Sequence, residues 1–347
     1  MVQSKDRYSY TLVTDPAPLR GALEPREVRA RVLAVAEPAD RALEQVLTSH
    51  VDYILEVARY IIFSGGKRLR PALFLLASAA CGVQASLRQA AIFEFLHAAT
   101  LLHDDVIDDA GLRRGRPAAR TRYGNDAVIL VGDFLFAKSD ALAVEVDDHR
   151  FITALTQCTT QMGEGQVLEL LHTDDLELTP RGYLEVIIAK TAVLIAAACQ
   201  MGAIYAGADQ DTIDALYDYG MDLGIAFQMV DDALDYVGTQ HDLGKPVGHD
   251  LAEGKITLPF IHARDHAPPP VRRRLLELAR QGRTRPEVLE EAKQIVCDQG
   301  GGEFTMDCAT GHAARAQAAL APLMKKSAPA ELETLMGLAG YVIHRRG

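Results

Sequence analysis

The chain has 347 residues, 48% of them hydrophobic, which is ample for a large buried core and excludes a disordered or fibrous protein. Its net charge of -11, from 36 basic and 47 acidic residues, argues against nonspecific attraction to nucleic acid or an anionic membrane, so a polyanionic substrate would need local basic clusters and metal ions. The five cysteines (Cys81, Cys158, Cys199, Cys297, Cys308) form no CxxC pair or regular framework and suit reduced thiols in a cytoplasmic protein.

Residues 1–38 are mixed in charge, carry Pro16, Pro18, Pro25 and Pro38, and read as an irregular N-terminal arm without the apolar core of an export signal. Residues 39–347 read as one all-α, single-domain helical bundle. Apolar residues recur at helical spacing in 51–64, 71–81, 87–108, 127–144 and 151–171, and strand-like alternation is missing. Breakers fall at Gly65-Gly66, Gly111, 115–117, Gly124, Thr179-Pro180, Gly207, 238–248 and 267–270, and none resembles an interdomain linker. The most apolar run, 192–208, is interrupted by Gln200 and is rich in small residues. It falls short of the roughly 20 clearly hydrophobic residues of a membrane span and reads as a buried helix of a soluble protein.

One short acidic pattern occurs twice: Asp104, Asp105 and Asp108 close one apolar run, and Asp231, Asp232 and Asp235 close another. In each copy the first and last carboxylates are four apart, so at about 100° per residue they share a helix face. Hard oxygen donors of this kind suit magnesium, which commonly binds through one or two carboxylates plus substrate phosphates. A single copy is better explained by a solvated acidic helix end; two copies, each embedded in apolar sequence, reverse that preference.

Cations flank both copies. Lys67 and Arg70 follow the glycine pair 65–66 and are three apart, and Arg113 and Arg114 come just after Asp108. Arginine offers a forked donor for phosphate oxygens. His97 lies two helical turns before Asp104 on nearly the same face and can donate to a phosphate, although a lone histidine in an apolar helix also fits a plain core. Lys190-Thr191 opens the small-residue helix, Gln228 precedes Asp231 by three, and Lys245 and Lys255 lie beyond the second cluster.

With these blocks in hand, the sequence resembles the trans-polyprenyl diphosphate synthase family from about residue 40 to the end. The matching blocks are GGKRLRP at 65–71, EFLHAATLLHDDVIDDAGLRRGRP at 94–117, YGNDAVILVGDFLFA at 123–137, KTA at 190–192, FQMVDDALDY at 227–236 and GKPVGHDLAEGKITLP at 244–259. The resemblance implies the isoprenoid synthase bundle around a central cavity, a homodimer and head-to-tail 1'-4 condensation. It implies magnesium, three ions per site, held by Asp104, Asp108 and Asp231 with Asp105, Asp232 and Asp235 in support. It assigns isopentenyl diphosphate to Lys67, Arg70, His97 and Arg114, and the allylic diphosphate to Arg113, Lys190, Thr191, Gln228, Lys245 and Lys255. His249 stands where an acidic residue is common in the family.

Ionisation of an allylic diphosphate builds charge on the leaving group, and metal ions with Lys/Arg donors stabilise it where it develops. The motifs hold no obvious general base, so the resemblance implies that the departing pyrophosphate takes the proton. Ala99 and Thr100, about one turn before Asp104, are small where bulky aromatics would block a growing tail. They leave room for a long product, which the resemblance puts at six to ten isoprene units, around octaprenyl, delivered to a membrane, with Phe134, Phe136 or Phe151 as candidate floor residues. A short-chain synthase, a class I terpene cyclase and a noncatalytic subunit are the alternatives. The absence of tryptophan and the full second acidic motif disfavour the cyclase, and the intact set of charged groups disfavours the noncatalytic subunit.

Overall fold

A computed structural model describes residues 11–14, 19, 23–237, 249–282, 285–326 and 329–344. Among them the order is α1 (Pro25–Ala36), α2 (Ala39–Val46), α3 (Asp52–Ile62), α4 (Leu69–Ala80) and α5 (Leu87–Ile107), then a small ribbon of β1 (Leu112–Arg113) and β2 (Arg116–Pro117). Next come α6 (Ala119–Tyr123), α7 (Asn125–Val144), α8 (His149–Leu171), α9 (Pro180–Ile187), a π turn (Ile188–Ala192), α10 (Val193–Tyr205) and α11 (Gln210–Val237). The chain ends with α12 (His249–Ala252), α13 (Leu258–His266), α14 (Pro269–Gly282), a 3-10 turn (Pro286–Val288), α15 (Leu289–Asp298), α16 (Gly301–Lys326) and α17 (Ala330–His344).

The long helices start where local chemistry satisfies their first amides. Ser86 accepts from the Arg88 amide at 3.1 Å, Asp148 from Arg150 at 2.8 Å, and Thr179 from Gly182 at 3.1 Å with Pro180 in the first turn. Gly124, at φ +83, takes the left-handed conformation between α6 and α7 that a side chain would strain.

One expectation needs correction. The irregular arm is helical over Pro25–Ala36, because Pro25 sits in the first turn and Val28, Val32 and Ala36 make a buried stripe at a spacing of four. The all-α reading holds: strand among the described residues is confined to the small antiparallel ribbon in which Leu112 pairs with Pro117 and Arg113 with Arg116.

Helix α10 forms the axis of the bundle. Eleven of its 13 residues are buried, so it is apolar all round, the pattern of a helix enclosed by others. Small residues let its neighbours close on it: a Cβ added at Gly202 would lie 2.5 Å from the Phe74 carbonyl oxygen, and one at Gly220 2.7 Å from the Ala196 Cα. Among the described residues one helical stretch, Pro180–Tyr205, is long and apolar enough to cross a membrane, and 78% of its most apolar window is buried in the fold.

Candidate active site

Helices α5 and α11 carry the two acidic motifs in their last turns. Both bring their first carboxylate, Asp104 and Asp231, to the same cavity of about 480 Å³. Lys67, Arg70, His97, Arg114 and Lys190 line it as well, while Leu101, Met162, Ile195 and Phe227 supply apolar wall. A smaller cavity of about 160 Å³ is lined by Glu169, Tyr183, Asp232, Asp250 and Lys255. Lys190, Thr191 and Gln228 belong to both, so they stand between the two spaces.

Lys190 and Thr191 owe that place to the π turn, which widens the helix by a residue and rotates the residues after it. The turn is gripped from two sides by glycines. A Cβ at Gly165 of α8 would meet the Ala189 backbone at 2.7 Å, and one at Gly224 of α11 would meet the Ala192 Cα at 2.5 Å. Thr191 donates to the Gln228 side-chain oxygen at 3.0 Å, and Gln228 donates onward to Asp232 at 2.8 Å.

The charges are interlocked. Asp104 accepts from Gln166 at 2.5 Å and lies 3.8 Å from Lys190, which also pairs with Glu169. Burial pushes the Asp104 carboxyl above its ordinary range, against the pull of Lys190. Asp108 is 3.3 Å from Lys255, which also holds Glu253 at 2.7 Å. Burial works against the Lys255 charge, but Glu253, Glu169 and Asp108 outweigh it and hold its pKa above the usual value. His97 is half-buried and lines the cavity. Burial, then Arg70 and Arg114, push its pKa well below the ordinary value, which favours the neutral imidazole.

The middle aspartates behave differently from the outer ones. Asp105 is fully buried and turned to the ribbon: Arg113 and the Ala119 amide, at 3.1 Å, both donate to it. Arg113, expected on the allylic diphosphate, is thus paired with Asp105, whereas Arg114 lines the larger cavity and donates to the Gly65 carbonyl. Asp232 accepts from the Tyr183 hydroxyl at 2.6 Å, and burial lifts its pKa to about 7. Asp235 accepts from the Asp250 amide at 3.1 Å, which ties α12 to α11.

Of the two positions expected to limit chain length, Thr100 lines the larger cavity and Ala99 is fully buried outside it. Four residues before Asp104 is a rotation of about 40° from its face, five is about 140°, so only Thr100 shares the face of Asp104. Phe151 packs in the core, its ring 6.2 Å from Phe74, and Phe136 stacks on His103 at 5.9 Å. Lys245 and the side chain of His249 lie outside the described residues.

The structure adds groups the motifs do not single out: Glu94, Gln166, Glu169, Tyr183 and Asp250 all line one of the two cavities. Gln166 and Glu169 are detectable as a polar pair three apart on α8, and Glu94 as a carboxylate one turn before His97 in an apolar run. Asp250 lies within the matching block 244–259 without being singled out there, and Tyr183 carries no such signal.

The residues fit a magnesium diphosphate. Among the described residues no group of three or more His, Cys, Asp or Glu side chains converges as an all-protein cage. The carboxylates instead come from two helices, a donor set suited to ions that complete their shell with phosphate oxygens and water. On the cation side, the Arg70 Nε is buried with no hydrogen-bond partner among the described residues, and so offers a donor for an incoming acceptor.

The polyprenyl synthetase family model matches residues 51–296. The chain is 38% identical over 306 residues to the octaprenyl diphosphate synthase of Escherichia coli K12, covering 88% of this chain and 94% of that one. It is 35% identical over 317 residues to a short chain isoprenyl diphosphate synthase of Methanothermobacter thermautotrophicus, covering 89% and 96%. A polyprenyl synthase of Caulobacter crescentus, solved with calcium and isoprenyl diphosphate, superposes with a TM-score of 0.83 at 38% identity, over 94% of this chain and 100% of that one. The all-α bundle, the paired acidic helix ends around a basic cavity and these likenesses agree, and the chain belongs to the polyprenyl synthetase family of prenyltransferases.

Proposed function

We propose that the protein is a long-chain trans-polyprenyl diphosphate synthase, adding isopentenyl diphosphate stepwise to an allylic primer such as farnesyl diphosphate, with a product around octaprenyl. The observation that carries this is one cavity lined both by Asp104, Asp231 and the cations and by the apolar side chains of Leu101, Met162, Ile195 and Phe227. That mixed lining suits a substrate with a charged diphosphate and an apolar tail. The likeness to the octaprenyl synthase favours a long product, and the likeness to the short chain enzyme keeps a farnesyl or geranylgeranyl product as the second reading.

Asp104, Asp108 and Asp231 would hold magnesium, three ions per site, with Asp235 in support. Bound there, magnesium supplies charge stabilisation for the leaving diphosphate. Lys190, Lys255, Thr191 and Gln228 orient that diphosphate, with Lys245 assigned to it by the family pattern, and their donors gain most as the carbon–oxygen bond lengthens. Lys67, Arg70, His97 and Arg114 hold isopentenyl diphosphate, His97 as a neutral donor. The allylic cation is then met by the isopentenyl double bond, the apolar wall excludes water, and the departing pyrophosphate takes the proton. Thr100, with Ala99 behind it, leaves the tail path open.

The exposed apolar residues Ile129, Leu130 and Val144 of α7 and Val167, Leu170 and Leu171 of α8 support a homodimer, since so much exposed aliphatic surface favours a partner. The five thiols are free, which supports a cytoplasmic enzyme that passes its product to a membrane. The test is incubation with farnesyl diphosphate, labelled isopentenyl diphosphate and magnesium, then product sizing. Products of six to ten isoprene units are expected; a stop at farnesyl or geranylgeranyl diphosphate would select the second reading, and no condensation would refute both.

A further inference from the structure

Arg68 sits between Lys67 and Arg70 but does different work. Its three guanidinium nitrogens are all engaged: Nε donates to Asp40 at 2.6 Å, one terminal nitrogen to Glu94 at 2.5 Å, and the other to the Ile62 carbonyl at 2.7 Å. The side chain is 6% exposed, and the Phe63 ring lies 5.9 Å from the guanidinium carbon. Its backbone is left-handed at φ +48, a conformation a residue with a Cβ holds only when its surroundings impose it.

The segment it interrupts needs such a constraint. Gly65 and Gly66, at φ +105 and +147, lead into Lys67, and glycine pairs lose much conformational freedom on being ordered. Arg68 also crowds that segment: a Cβ on Gly66 would lie 3.3 Å from an Arg68 nitrogen and 3.5 Å from one of Arg114. Glu94 stands three residues before His97 on α5, so the helix that presents His97 also anchors the loop that presents Lys67 and Arg70. Asp40 comes from α2, before residue 51 where the family model begins to match.

We infer that Arg68 is a positioning residue for the isopentenyl diphosphate subsite, and that Asp40 of α2 is the part of its anchorage contributed by the N-terminal helices. The inference rests on the proposed assignment of Lys67, Arg70 and His97 to that substrate. The anchorage holds the glycine-led loop in its receiving shape before substrate arrives, so its loss falls on affinity for isopentenyl diphosphate and not on ionisation of the primer.

Asp40 is 58% exposed at its side chain, so it can be altered without opening the core. Asp40→Ala and Asp40→Asn in the full chain with magnesium should raise the KM for isopentenyl diphosphate about three- to fivefold, the size of one exposed charged contact. The KM for farnesyl diphosphate, kcat and Tm should stay near wild type, and Asp40→Glu should restore the wild-type KM. Arg68→Lys keeps the charge but loses the fork and should shift the same KM further. Equal rises in both KM values, or an unchanged KM for isopentenyl diphosphate in both Asp40 variants, would overturn the inference. Calorimetric titration with isopentenyl diphosphate is run in parallel. If wild type binds it but does not condense it, the proposed function fails while the variants' affinities still decide the role of Arg68. If wild type does not bind it, both fail.

Discussion

Helices α5 and α11 end in the same acidic pattern, and position by position they have diverged. Four and three residues before the first aspartate, both line the larger cavity: Thr100 and Leu101 on α5, Phe227 and Gln228 on α11. Seven before it, α5 presents the ring of His97 to the cavity, whereas α11 has Gly224 pressed against the π turn. The middle aspartate faces a cationic loop on α5 and neutral donors on α11. A duplicated motif therefore fixes where the outer carboxylates go, while what each helix packs against decides the role of the rest.

The outer carboxylates, where the two helices agree, should show the largest effects. Asp104→Asn and Asp231→Asn should each lower kcat by about 10²- to 10⁴-fold with the melting curve preserved, since charge stabilisation is lost mainly in the transition state. A near-normal rate in either variant would break the equivalence of the two ends.

The middle pair should separate. Asp105→Asn leaves Arg113 beside a fully buried neutral amide and should cost about 2–3 kcal/mol in a denaturation experiment. Asp232→Asn keeps neutral partners at a carboxyl that burial already biases toward its protonated form, and should cost less than about 1 kcal/mol. Equal losses would show that environment does not distinguish them.

Thr100→Phe gives α5 the aromatic that α11 already carries at the matching position, Phe227. Product sizing at matched turnover should show fewer isoprene units with the primer still ionised, and Ala99→Phe a weaker shortening because its side chain starts outside the cavity. An unchanged distribution in Thr100→Phe would place the tail elsewhere.

The smallest effect is at His97, the position α11 gave up. Its folded pKa lies below the ordinary value of about 6.5, so folding favours the neutral ring. That stabilisation is complete above about pH 6.5 and is lost as pH falls toward the folded value. Wild-type Tm should therefore drop a few degrees more between pH 7 and pH 5.5 than that of His97→Gln. Parallel curves would mean that the ring is not held neutral.

Much of the site is legible in the sequence. Asp104, Asp231, Lys67, Arg70, His97, Lys190 and Gln228, singled out by the paired acidic pattern, its flanking cations and the family resemblance, line one cavity. The first helix escapes a sequence reading because its prolines look like breakers, whereas Pro25 opens the helix and Pro38 comes after its end. The inward turn of Asp105 depends on a loop that folds back to it from Arg113 and Ala119, and the roles of Glu94 and Tyr183 on contacts with Arg68 and Asp232 across 26 and 49 residues, none of which a local pattern encodes. Ala99 shows the limit of counting turns roughly: one residue of offset moves a side chain from the cavity to the core.

The π turn at Ile188–Ala192 makes the site sensitive to a class of change that substitution never samples. Its extra residue is a phase shift in the helix from Pro180 to Tyr205, so a one-residue deletion inside it would restore regular winding. Lys190 and Thr191 would then turn by about 100° relative to one flank, although every neighbouring side chain kept its identity. The spacing of this helix, independent of its composition, is thus part of what builds the candidate site, and an alignment that placed a gap here would misassign both residues.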